Sequence, residues 1–172
     1  MPLTSENSTY EIAYGAALTV HIVTALAGFG MLGVSGLYAA WGQHLATPKD
    51  LKDVRQFFGP PNRIGRALWA VPFAGGIALW LSHGGGALGQ AWVILASVCW
   101  AVAMVVAVKV IWPAEGRIRA LVPRLEETSF TETGHPAKEE LAALCRPIVR
   151  AAAVCDVVFL VALALMILKP GD

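Results

Sequence analysis

The sequence predicts an all-α polytopic membrane protein: a four-transmembrane-helix bundle with one short cytoplasmic amphipathic helix. Three observations carry this expectation. The 172 residues are 56% hydrophobic and only 15% charged, where a soluble domain carries about 25% charged residues. The apolar residues fall in long blocks rather than in one-faced helical alternation. The basic residues, in turn, gather in two of the connections and are missing from the others, the sorting expected of a multi-pass chain. A net charge of +1 gives no pointer to nucleic acid. The lipid bilayer is the expected surrounding, and one domain fits this length.

The first span covers residues 14–41. It has no formal charge and a single histidine, His21. At about 1.5 Å per residue it exceeds a bilayer core of about 30 Å. Gly28, Gly30, Gly33 and Gly36 suit close helix contact within a membrane. The string GFGMLG imitates a dinucleotide fingerprint, but no strand and turn precede it, so no nucleotide site is expected. Tyr38 and Trp41 mark an interfacial end.

The next stretch changes character. Thr47 is placed to cap a helix, Pro48 takes its first position and Asp50 sits near its positive end. Leu51, Val54, Phe57 and Phe58 recur at helical spacing, with charges on the other faces, and Gly59-Pro60-Pro61 stops the run. Such a helix is expected on the membrane surface or docked on a partner.

The second span is expected over residues 66–82, with Pro72, Gly75 and Gly76 inside it as a kink or close contact. The uncharged hairpin HGGGALGQ leads to a third span over residues 91–112. A polar connection, residues 114–145, holds most of the acids, and its end, PAKEELAALCRP, reads as a helical lead-in to a fourth span over residues 147–168.

Lys49, Lys52, Arg55, Arg63 and Arg66 flank the first connection, and Arg117, Arg119, Arg124, Lys138 and Arg146 occupy the third. The positive-inside rule puts both in the cytoplasm and both termini outside. The expected location is the bacterial cytoplasmic membrane. The N-terminus lacks the basic region of a signal peptide, so no cleavage is expected.

His21 falls about seven residues into the first span, roughly 10 Å deep. Imidazole is the commonest ligand for haem and metals, yet a buried histidine also serves by bonding a hydroxyl or carbonyl across a bundle. His83, Met166 and Cys99 share its outer half, which makes them candidate second ligands. His21 and Cys99 would serve a metal such as copper; His21 with His83 or Met166 would serve haem b. Cys99, Cys145 and Cys155 show no CxxC spacing and read as free thiols. Asp156 is the costly residue of the fourth span, since a carboxylate at mid-membrane costs on the order of 3 kcal/mol. Lys109 and Arg150 are its candidate partners, in an ion pair, a proton path or an anion site. Trp69, Trp92 and Trp112 read as interfacial anchors, with Trp80 and Trp100 deeper.

In layout the whole chain resembles a superfamily of small bacterial four-helix membrane proteins. The resemblance rests on VHIVTALAGFG with His21, on GRALWAVPFAGGIALWL, and on the ending Lys169-Pro170-Gly171. The superfamily includes copper-resistance protein D-like domains, an uncharacterised four-helix family, and the membrane protoporphyrinogen oxidase that works without a flavin. In that oxidase a first-helix histidine is implicated in haem b binding, which the resemblance maps onto His21. The oxidase also has a lysine at the outer start of its third helix; GQAWVILASVCW has none. The resemblance is therefore nearest to the uncharacterised branch. It implies a haem- or metal-binding membrane protein. An accessory subunit of a larger membrane complex, with a possible homo-oligomer, and a protoporphyrinogen oxidase-like enzyme are the alternatives.

Overall fold

The computed structural model of the chain describes residues 5–44, 48–83, 86–127 and 136–170, with side chains described for 9–44, 50–82, 88–125 and 136–170. It is all-helical, with no strand among the described residues. The helices in order are α1 (Ser5–Gly42), α2 (Pro48–Phe58), α3 (Val71–His83), α4 (Ala91–Val106), α5 (Trp112–Glu127) and α6 (Pro136–Leu168). A 3₁₀ turn, Gly65–Trp69, precedes α3, and a π-helical turn, Ala107–Ile111, joins α4 to α5. Three rods are long and apolar enough to cross a membrane: α1 from Thr9, the α4–α5 rod from Ala91 to Leu125, and α6.

Helices α1 and α6 pack antiparallel along most of their length, with α4 against α6 and α3 against α1. The α1–α6 seam is set by small residues. A Cβ on Gly36 would lie 2.4 Å from the Cβ of Ala152, and one on Gly42 would lie 3.0 Å from Cys145 Sγ. Further along, Phe29 stacks on Phe159 at 4.7 Å between ring centroids. The close approach expected of the α1 glycines is therefore used at Gly36 against α6 and at Gly28 against Leu68, while Gly30 faces open space.

The amphipathic helix forms as α2, but it spends its apolar face on the protein's own core. Leu51, Val54 and Phe58 are buried, α2 packs on α1 and α5, and Phe57 stacks on Tyr38 at 4.2 Å. A lipid-lying face is thus replaced by an internal one. The cap assigned to Thr47 lies outside the described residues.

The stretch expected as one helix over residues 66–82 is broken. Pro72 has no N–H to return to the Leu68 carbonyl, and its ring crowds that turn. The chain makes the 3₁₀ turn instead, and the Trp100 indole N–H donates to the Leu68 carbonyl at 2.9 Å. What remains, α3, is 13 residues, about 20 Å long.

The third apolar run does not stop at residue 112. Pro113 cannot donate to the Lys109 carbonyl, and the π turn accommodates it: the Trp112 N–H reaches back five residues to Ala107. Such wide turns recur where a helix must absorb a local misfit. The helix then continues as α5, so half of the expected polar connection is helical rod. The lead-in PAKEELAALCRP is continuous with α6, as expected.

Candidate functional site

The bundle has two unlike ends. One carries the termini of α1 and α6; the other carries α2, α5 and most of the basic residues. At the terminal end α3 packs on α1, and a cavity of about 300 Å³ lies between α3 and α4. Its α3 wall is Val71, Pro72, Gly75, Gly76, Leu79 and Ser82, and its α4 wall is Trp92, Val93, Ala96, Ser97 and Trp100. His21, Ala25 and Phe29 of α1 and Phe159, Ala162 and Met166 of α6 form the floor. Tyr14, Leu18, Ala78, Leu88 and Lys169 complete the lining.

His21 is held at the α1–α3 contact. Its Nδ1 lies 2.9 Å from the Val71 carbonyl. A carbonyl only accepts, so Nδ1 carries a proton, which in the neutral ring leaves the lone pair on Nε2. No partner for Nε2 is found among the described residues. The imidazole fits because residue 75 is glycine: a Cβ there would stand 2.8 Å from Nδ1. At the neighbouring Gly76 a Cβ would meet nothing within 4 Å.

Of the other candidate ligands, Met166 lines the cavity with His21 and Cys99 does not. His83 is the last residue of α3, and its side chain lies outside the described residues. Among the described residues no three His, Cys, Asp or Glu side chains gather to hold a metal ion. All three cysteines are free; Cys145 and Cys155 are buried and Cys99 is half-buried.

The intramembrane charges do not come together. Asp156 sits exposed beside α1, where a Cβ on Gly33 would lie 3.1 Å from its Oδ1. Among the described residues no hydrogen bond or ion pair reaches its carboxylate, and Lys109 and Arg150 are exposed and do not pair with it. The Asp156 carboxylate lies instead at the contact between α1 and α6.

Two polar groupings were not legible in the sequence. At the basic end Glu115 is buried and accepts from Ser35 Oγ at 2.6 Å and from Asn62 Nδ2 at 3.2 Å. Asn62 in turn accepts the Gly65 N–H at 2.8 Å. One turn on, Arg119 donates to the carbonyls of Phe58 and Pro60, both at 3.1 Å. Glu115 and Arg119 thereby tie α5 to α1 and to the segment after α2; their spacing of four was the available signal. The second is Lys169, whose Nζ lies 5.7 Å from the centroid of the Trp92 ring at the cavity rim.

The tryptophans divide differently from expectation. Trp92 is buried with its indole donating to Gln90, Trp80 is exposed, and Trp69 meets Trp100 edge-on at 6.5 Å. Trp112 Nε1 is buried without a partner among the described residues.

Comparison of the chain with protein-family models, with curated proteins and with solved structures finds no match.

Proposed function

We propose that this protein is a four-span protein of the bacterial cytoplasmic membrane, both termini outside, that binds haem b through His21. The observation that carries the reading is the state of the imidazole. Its Nδ1–H is tied to a backbone carbonyl, its other nitrogen is left with a lone pair, and it stands in the wall of an aromatic-lined cavity. Histidines that bind metal centres almost always donate their other ring N–H in this way, which fixes tautomer and orientation. Met166 offers a thioether on the same cavity, and His and Met are established haem ligands, so His21 and Met166 would be the residues to hold the group.

The donor set favours haem over a lone copper ion. A haem iron brings four nitrogens of its own and asks one or two donors of the protein. A protein-caged ion asks for more than the described residues gather. A cavity of about 300 Å³ stands at the lower bound of the size range of cofactor sites. When bound, haem supplies one-electron chemistry. The chain's residues bind and shield it: His21 holds it, and Phe29, Phe159 and Trp100 wall off the basic end.

The membrane layout rests on the three long rods and on the 3₁₀ turn with α3, which together reach about 30 Å. The basic end is assigned to the cytoplasm by the positive-inside rule. The test is spectroscopic: the purified protein carries a Soret band, and His21→Ala loses it.

Asp156 supports a second role, as the docking point for a transmembrane helix of a larger complex. A mid-span carboxylate facing lipid costs on the order of 3 kcal/mol, and a partner helix with a hydroxyl, amide or basic side chain removes that cost. Wild-type protein in mild detergent is expected to bring down a stoichiometric partner that Asp156→Leu loses. Isolation of wild type as a lone monomer would overturn this role.

A further inference from the structure

Lys169 ends α6 in an uncommon way. Its backbone is left-handed, with φ of 41°, a conformation that side chains other than glycine rarely take. Its N–H bonds the Leu165 carbonyl at 3.0 Å, closing the last turn. The side chain lies back across the cavity rim, over the Trp92 ring on the α4 wall. No carboxylate pairs with it among the described residues. Among the described residues it is, apart from His21, the only side chain in the lining that can carry positive charge.

The α1–α6 register places this cation relative to His21. Gly36 meets Ala152 and Phe29 stacks on Phe159, so continuing the antiparallel pairing brings Lys169 level with Thr19. That is about 3 Å outward of His21 along the helix axis. The other end of the cavity is apolar, closed by Phe29, Phe159 and Trp100. A flat amphiphile entering such a space turns its apolar edge inward and its anionic edge to the rim.

We propose, on the reading that His21 holds haem, that Lys169 binds a haem propionate and selects for a porphyrin that carries free carboxylates. The rim ammonium and the propionate form a charge-assisted hydrogen bond, and Trp92 holds the ammonium in place by its ring face.

The test is a titration of the haem-free protein, in nanodiscs of neutral lipid, with haem and with haem dimethyl ester, followed at the Soret band. Wild type is expected to prefer haem over the diester by about tenfold, the worth of one charge-assisted hydrogen bond at an exposed rim. Lys169→Gln should bind the diester as wild type does and lose that preference, while Lys169→Arg keeps it. Lys169→Gln protein that still prefers haem tenfold, or wild type with no preference, overturns the role of Lys169 and leaves His21 as ligand. Wild type that binds neither porphyrin overturns the haem reading itself, and this inference with it.

Discussion

Gly36→Leu is expected to cost the bundle about 3 kcal/mol or more, the upper part of the range for overpacking a well-fitted contact. The reason is the partner atom. A Cβ at residue 36 would stand 2.4 Å from the Cβ of Ala152, and a Cβ moves only if its backbone moves. The α1–α6 seam is the most extensive helix contact among the described residues, so the misfit cannot be absorbed locally. Gly30→Leu is the matched control. It lies on the same helix and meets nothing within 4 Å, so it should be near neutral, aided by the better helix propensity of leucine. A thiol-reactive dye reads the difference on heating, because Cys145 and Cys155 are fully buried until the helices part. Equal melting of the two variants would contradict the seam.

Glu115→Ala should destabilise by about 3 kcal/mol, measured in the same assay. The substitution strands two donors, the buried Ser35 hydroxyl and the half-buried Asn62 amide, and a buried group left unsatisfied costs about 1–3 kcal/mol. Ser35 has a fallback in the Met31 carbonyl at 3.0 Å, which keeps the total from being larger. Glu115→Gln retains an acceptor oxygen for the same donors and should cost about 1 kcal/mol. If alanine and glutamine behave alike, the carboxylate is not what ties α5 to α1 and to the segment around Asn62.

These two sites show what the sequence could and could not disclose. The apolar rods were legible from run length, because crossing a bilayer leaves little choice of composition. So was the end of the chain at which His21 lies. The break before α3 was half legible: Pro72 announced a misfit, but only the structure shows that Trp100 takes up the Leu68 carbonyl. The polar character of residues 114–145 concealed a helix, since a rod that packs on one side through Ile118, Leu121 and Leu125 keeps charges on its others. Which helix faces meet is a property of pairs of segments, and no single segment encodes it. That is why depth makes Lys109 and Arg150 candidate partners of Asp156 in the sequence, whereas the carboxylate in fact lies against Gly33. For the same reason Lys169, a terminal residue by position, became a cavity residue only when α6 was packed beside α4.

The central claim is that His21 is a ligand rather than a side chain satisfied by Val71 alone, and the absorption spectrum of the purified protein tests it most directly. Wild type should show a Soret band with about one haem per chain. His21→Ala should lose it while Cys145 and Cys155 stay as protected from a thiol-reactive dye at ambient temperature as in wild type. Gly75→Ala, which crowds Nδ1 and Cε1 of the imidazole, should shift or weaken the band, and Gly76→Ala should leave it unchanged. A wild-type protein without haem that takes up none when it is supplied, or a His21→Ala variant with its full Soret band, would contradict the account.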